Sequence, residues 1–326
     1  MAHPSYLDLL DSGELDRRAG VLLAMLAECR VCPRNCRAKR DQDGLGVCAT
    51  GRLAEVASWC VHRGEEPCIS GERGSGTVFF AHCNLACVFC QNYQISQEWK
   101  RGEGRMDTGA LAGVYLELQR AGVHNLNWVS PSHVVPQAVE ALALAAGRGL
   151  RIPVVYNSNG YDALDTLRLL DGVVDVYMPD LKYAEEGPAK ELSDALGYVP
   201  NAQAAVAEMW RQVGPLVLDD DGVARRGLLV RHLVLPNQLS QTEEVLAFLA
   251  RECGPDVAVS LMAQYHPSHK APFHPLINRP IRVGEYARAL EALEKSGLEE
   301  GYVQELSAAS HYLPDFDADG HPFERE

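Results

Sequence analysis

The sequence predicts an α/β protein: an open, partial (β/α)6, TIM-like barrel with a small N-terminal cysteine-rich segment. Three observations carry this. Between about residues 76 and 296, short apolar runs rich in β-branched and aromatic residues alternate with longer amphipathic stretches, as parallel strands joined by right-handed helical crossovers do. The distinctive polar residues fall just after the apolar runs, at the C-terminal strand ends where such folds gather their chemistry. Four cysteines cluster ahead of the first run, on a short, loop-rich stretch with little core of its own.

The chain has 326 residues, 47% of them hydrophobic and 23% charged, which suits one large soluble domain with small appendages. The expected division is a helix and cysteine-rich segment over 1–72, the barrel over 73–300 and an extension over 301–326. A formal net charge of −14 argues against nucleic acid as a partner, because a polyanion needs a basic face to replace its counterions. The first 16 residues hold acids and no long apolar run, so no secretory signal is expected, and no stretch approaches the 18 or so apolar residues of a membrane helix. Ten cysteines without a signal read as metal ligands in a reducing, cytoplasmic compartment.

Residues 6–26 read as helical, with a break at Asp11-Ser12-Gly13. Cys29, Cys32, Cys36 and Cys48 follow as C-x2-C-x3-C-x11-C. Four soft ligands can close a tetrahedron around zinc, and equally can fully ligate a [4Fe–4S] cluster; the pattern leaves both open. Cys60 and Cys68 read equally as small buried residues or ligands, and Cys253 as a small buried residue. The glycine-containing stretch 62–77 makes a tight lead-in to a strand at 76–81. Directly after that strand come Cys83, Cys87 and Cys90, spaced C-x3-C-x2-C. Three thiolates cannot fill a tetrahedral zinc site, but they can hold three irons of a [4Fe–4S] cluster and leave the fourth open. A helix capped by Thr108-Gly109 runs to about 121. Strands are then expected at 123–129, 152–156, 173–178, 228–235 and 257–262, with helices at 135–147, 161–170, 202–213, 241–252 and 283–296. The charged tail 315–326 reads as a surface extension laid across the barrel mouth.

The C-x3-C-x2-C spacing with Phe89 before the last cysteine resembles the radical S-adenosylmethionine (SAM) superfamily. Cys83 to Asn92 (CNLACVFCQN) is similar to proteins related to the activating enzymes of glycyl-radical enzymes such as pyruvate formate-lyase. The segment 29–36, together with His62 to Pro67, Ile69 to Gly71 and Gly74 to Thr77, resembles one uncharacterised branch of these activase-like proteins. The resemblance implies a [4Fe–4S] cluster on Cys83, Cys87 and Cys90 and SAM contacts along the strand ends. Ser130, Ser132 and His133 stand where the family usually has Gly-Gly-Glu for the SAM amino group, followed by Gln137. Asn157-Ser158-Asn159-Gly160 resembles Asp-Thr-Asn-Gly, and Met178, Asp180 and Lys182 resemble Met-Leu-Asp-Leu-Lys. In activases these loops contact SAM and can hold a monovalent cation; Asn157 here replaces the acid and removes one charge. Arg231, inside an apolar strand, needs a partner or the barrel lumen, and its family counterpart pairs with the SAM carboxylate. His266 matches the histidine of Pro-Tyr-His, while Gln91 to Tyr93 would support the cluster. His269, His274 and His311 read as surface or substrate-side residues.

The function implied is that of an oxidoreductase that cleaves SAM reductively to a 5′-deoxyadenosyl radical and abstracts hydrogen from a protein, peptide or small molecule. A flavodoxin- or ferredoxin-like protein would supply the electron. One alternative is an activating enzyme that generates a glycyl radical in a partner. An alternative of another class is a non-catalytic iron–sulfur or zinc protein that carries electrons or scaffolds an assembly, which would show a degraded SAM rim.

Overall fold

The computed structural model describes residues 3–42, 44–307, 313–316 and 321–323, so His311 and much of the expected extension lie outside the described residues. Among the described residues ten strands form one sheet: β1 (Ala54–His62), β2 (Ser75–Phe80), β3 (Arg105–Met106), β4 (Leu126–Val129), β5 (Val154–Asn157), β6 (Val176–Tyr177), β7 (Val217–Leu218), β8 (Ala224–Leu233), β9 (Ala258–Met262) and β10 (Gly301–Val303). Its order is β10-β9-β8-β6-β5-β4-β2-β1-β3, with β7 paired to β8 alone. From β2 to β10 along this order all neighbours are parallel, whereas β1 is antiparallel to both β2 and β3. The protein is thus an open α/β barrel, with β10 and β3 at the edges of its gap.

The parallel strands are largely buried on both faces, because helices cover one side and the other lines the lumen. β2, β4, β5 and β9 are buried along their whole length. The helix Val135–Gly147 is buried over most of its surface, since the helix Glu14–Ala24 packs over it as well as the neighbouring helix Thr108–Arg120. That last helix starts on Asp107, whose carboxylate accepts from the Ala110 N–H at 2.8 Å. The cap is therefore one residue earlier than the Thr108-Gly109 start expected, as a charged acceptor is the better cap.

Two strands fall outside the 73–300 range expected for the barrel. β1 shields the first parallel strand from water, and a register shift between Val56 and Ser58 bends it. β10, three residues long, adds a seventh parallel strand to the six expected. Beyond it, residues 313–316 and 321–323 reach β1 and β2. The Phe316 N–H donates to Gln94 Oε1 at 3.1 Å, His321 Nε2 lies 3.1 Å from the Val61 carbonyl oxygen, and Phe316 and Phe323 join Phe79, Ile95 and Val129 in a separate apolar cluster. At the opposite end, the backbone N–H and hydroxyl of Ser5 donate to Asp175 Oδ1, each at 2.8 Å, while Asp175 Oδ2 takes the Val154 N–H. The start of the described chain is thereby tied to the N-terminal ends of β5 and β6. Among the described residues no helix is long and apolar enough to cross a membrane.

Candidate functional site

The lumen holds a cavity of about 820 Å³. The loop after β2 forms part of its wall. His82 turns the chain through a left-handed conformation (φ 68°) and is pinned there by Glu55 of β1, 2.8 Å from its Nε2, while the His82 N–H donates to the Ile95 carbonyl at 2.7 Å. Cys83, Cys87 and Cys90 then all line the cavity. Cys83 Sγ accepts from the Leu85 N–H at 3.4 Å and from Asn159 Nδ2 at 3.3 Å. Cys87 Sγ is 3.0 Å from Ser193 Oγ, and Cys90 Sγ is 3.2 Å from Ser96 Oγ. Two backbone bonds hold the loop, from Ala86 N–H to Ser193 O and from Val88 N–H to Leu192 O. The low-dielectric surroundings push the Cys83 thiol up to about 11 and Cys90 up to about 12, and raise Cys87. The thiolate forms therefore call for bound positive charge, towards which Lys182 contributes at Cys83 and Cys87.

Behind the thiols lies a charged group. Arg231 donates through Nε to Asp180 Oδ1 at 2.8 Å and through Nη2 to Asn157 Oδ1 at 2.7 Å, and its Nη1 is 3.5 Å from Glu65 Oε2. Lys182 Nζ is 2.5 Å from the other Asp180 oxygen. Burial opposes ionisation of Asp180, but Arg231 and Lys182 outweigh it and hold the carboxyl below its ordinary value. For Glu65 and Glu66 burial wins, and both carboxyls are raised despite Arg231. The guanidinium thus sits between Asn157 and Asp180, where the resemblance places a monovalent cation. The loop geometry depends on Gly160, which has φ 76° and would press any Cβ against the Asp180 carbonyl oxygen.

Of the sequence-predicted SAM contacts, the fold brings Ser130, Asn157, Ser158, Asp180, Lys182 and Arg231 to the cavity, and not Ser132, His133, Met178 or His266. Met178 packs in an apolar cluster with Val155 and Leu229. His266 Nδ1 is 3.3 Å from Ser268 Oγ, and its neighbours Gln264 and Tyr265 line the cavity instead. His133 is buried, its Nε2 2.9 Å from the Ala81 carbonyl oxygen, and burial lowers its pKa to about 3. A folded-state value below the usual 6.5 means that protonation disfavours the fold. The His133 ring is therefore expected to stay neutral from pH 8 down to 5, checked by 15N chemical shifts of the ring nitrogens; titration near 6.5 would show an open environment.

Sequence reasoning missed Glu65 and Glu66 as cavity residues. Two adjacent acids in a Gly-Pro-flanked turn beside a strand were the available signal, but they read equally as solvated turn residues. His62, also on the cavity wall, was missed together with β1, of which it is the last residue.

The N-terminal cysteines also converge. Cys29 lies close enough to Cys36, and Cys32 to Cys48 and Cys29, to interact electrostatically, and a Cβ on Gly46 would lie 3.1 Å from Cys48 Sγ and 3.4 Å from Cys36 Sγ. Arg40, almost wholly buried, donates through Nη1 to Cys29 Sγ at 3.5 Å and to the His133 carbonyl at 2.9 Å. Asn84 lies beside Cys32, and its Oδ1 is 3.8 Å from Cys83 Sγ, so one side chain neighbours both cysteine groups. Among the described residues no set of three or more His, Cys, Asp or Glu is arranged to hold a single metal ion. Cys68 and Cys253 are buried in the core, and Cys60 packs against the Phe79 cluster. His269 stacks on Tyr93 at 5.0 Å, and His274 Nε2 is 3.0 Å from Glu191.

No family model matches the chain. It is similar to Uncharacterized protein MJ0674 of Methanocaldococcus jannaschii, with 29% identity over 302 residues, 90% of this chain and 82% of that protein. Among solved structures it is similar to HydG, a maturase of the [FeFe]-hydrogenase, with 12% identity and a TM-score of 0.47 over 68% of this chain. The chain spans 49% of HydG.

Proposed function

We propose that this chain is a radical SAM enzyme. The observation that carries the reading is the placement of three thiols, Cys83, Cys87 and Cys90, on one loop at the wall of a large lumenal cavity that also exposes Asp180, Lys182 and Arg231. The donor set fits a [4Fe–4S] cluster. It has three soft ligands and no fourth on the same loop, with an adjoining cavity for a small molecule on the remaining iron. When bound, the cluster and SAM supply a 5′-deoxyadenosyl radical that can take hydrogen from a substrate.

The chain's own residues bind, orient and exclude water. Asn159, Ser96 and Ser193 would donate to the ligating sulfurs and so tune the centre. Lys182 and Arg231 would take the SAM carboxylate, with Asp180 fixing both cations in place. Ser130, Asn157 and Ser158 are the further SAM contacts of this reading, while Ser132, His133, Met178 and His266, which do not line the cavity, are given no contact with SAM. Cys29, Cys32, Cys36 and Cys48 lie near one another but are not set around a single-ion position, and in this reading they would hold a second centre, a further cluster or, with the thiols drawn together, zinc. A flavodoxin- or ferredoxin-like donor and hydrogen abstraction from a protein, peptide or small molecule complete the proposal, with glycyl-radical activation as one form of it.

The test is anaerobic reconstitution followed by dithionite and SAM. Formation of 5′-deoxyadenosine above the protein-free blank is expected, with a SAM-dependent change in the EPR signal of the reduced protein. An intact cluster that turns over no SAM would favour the non-catalytic electron-carrier or scaffold reading. Metal analysis of the same sample gives about four irons and one zinc if zinc occupies the N-terminal thiols, or about eight irons if a second cluster does.

A further inference from the structure

A second cavity, of about 250 Å³, lies at the β3 edge of the sheet, beside the loop that carries Gly46 and Cys48. Leu45, Gly51, Arg52, Leu53, Arg101 and Arg105 line it. Three guanidinium groups therefore border one small space, and among the described residues no acid lines it with them. The chain as a whole carries a formal charge of −14, so its surface elsewhere does not favour anions, whereas cations gathered at one cleft attract them there. The three arginines come from separate places. Arg105 lies opposite Glu55 in the β1–β3 pair. Its Nε donates to Glu55 Oε1 at 3.1 Å, and the same oxygen takes the Gly102 N–H at 3.0 Å. Arg52 precedes β1. Its Nη2 donates to Glu140 at 3.4 Å, and its carbonyl accepts from Gln137 Nε2 at 2.8 Å. Arg101 stands on the turn before β3, where Gly102 and Gly104 take left-handed conformations (φ 86° and 64°). Among the described residues it makes no hydrogen bond or ion pair. Glu55 and Glu140 do not line the cavity, and each engages one nitrogen of its arginine, which leaves further N–H donors on both.

We propose that Arg52, Arg101 and Arg105 form a binding site for the phosphate group of a small molecule. A carboxylate has two oxygens and suits one guanidinium fork, whereas the terminal oxygens of a phosphate can serve three such donors at once. The overall negative charge argues against a nucleic-acid strand as the source of that phosphate, and the size of the cavity suits a single small anion. Arg101 gains most from an occupant, since it has no other partner; Arg52 and Arg105 are already held in place from behind. Glu55 also joins this site to the cysteine loop. Its Oε2 is 2.8 Å from Nε2 of His82, the residue before Cys83. A phosphate that draws on Arg105 weakens the hold of that arginine on Glu55, and so alters the support of His82 and of the loop behind it. This link alone rests on the radical SAM reading, because it is read at the cluster; the site itself does not.

The experiment is calorimetric titration of the anaerobically reconstituted protein at low ionic strength and pH 8. The probes are inorganic phosphate and glycerol 3-phosphate, with malonate as a carboxylate control of the same charge. One phosphate compound per chain is expected to bind, about tenfold or more tightly than malonate. Arg101→Gln, at an exposed residue that holds nothing else in place, is expected to remove that preference. Arg211→Gln, at an exposed arginine far from the cavity lining, is expected to leave it unchanged. Equal binding of phosphate and malonate, or equal losses in the two variants, overturns the site, since general charge attraction would then account for the heat. No binding to the unmodified protein overturns it without any variant. Binding of the free ion with none of the ester keeps the site and assigns it to inorganic phosphate. With phosphate bound, the EPR signal of the reduced protein is expected to shift, and not in Arg101→Gln. Phosphate binding with an unchanged signal removes the link to the cysteine loop. Phosphate binding to a protein that never cleaves SAM leaves the site standing and removes the enzyme reading.

Discussion

Cys87→Ala is expected to reduce SAM cleavage to the protein-free blank and to lower bound iron by about four atoms per chain. Metal held by Cys29, Cys32, Cys36 and Cys48 is expected to remain. Cys87 is the middle thiol of its loop and is flanked by Ser193, whose hydroxyl also meets Tyr183 at 2.7 Å. Removing one sulfur leaves two donors, too few to retain three irons, while the loop keeps its backbone bonds to Ser193 and Leu192. The N-terminal group has its own neighbours, among them Arg40, which donates to Cys29 Sγ, so its loading does not depend on this thiol. Iron, sulfide and zinc analysis of wild type and variant, prepared side by side, checks both halves. Loss of all metal from the variant would refute two independent centres.

Arg231→Met is expected to cost about 3–5 kcal/mol of stability near neutral pH, together with most SAM-cleaving activity. The Arg231 and Asp180 side chains are only 17% and 15% exposed, so the substitution strands a carboxylate that has lost its main counter-charge, close to Glu65 and Glu66. The sign with pH follows from the directions of the shifts. Asp180 is held low in the native protein, so its contribution is present at neutral pH and fades as pH falls through the folded value. In the variant, acid neutralises the stranded carboxyls. The gap between the two proteins should therefore narrow as pH falls towards the carboxylate range. Urea unfolding at pH 7 and pH 5 measures it. An equal deficit at both values would mean that lost packing, and not charge, sets the cost.

The alternation of β-branched runs and amphipathic stretches was enough to place six parallel strands in order, because strand and helix periods differ and each crossover needs its own length. β10 escaped, since three residues carry no period. β1 escaped because its middle, Ala57 to Val61, is only partly buried, and its sequence, from Ala54 to His62, mixes small, acidic and aromatic residues without clean alternation. Within the site, spacing sufficed to bring Cys83, Cys87 and Cys90 to one loop, and an arginine in an apolar strand was enough to anticipate a partner for Arg231. Side-chain direction was not legible. His133 and His266 lie at the expected strand ends, but their rings turn to Ala81 and Ser268, and a one-residue rotation of a loop decides this without altering the pattern. Glu65 belongs to the same group as Asp180 although 115 positions separate them, and no local signal reports such a pairing.

The far side of the lumen is made from the last part of the chain. Pro314 and Phe323 line the cavity, and Phe323 lies 4.2 Å from His62, ring to ring. During synthesis the cysteine loop leaves the ribosome long before these residues do, by roughly ten to fifty seconds at ordinary elongation rates of about 5–20 residues per second. In that interval the loop can form on β2 while the lumen is still unroofed. The part of the cavity wall beside His62 is therefore completed only once residues 314–323 have been made, after the cysteine loop has had time to form on β2.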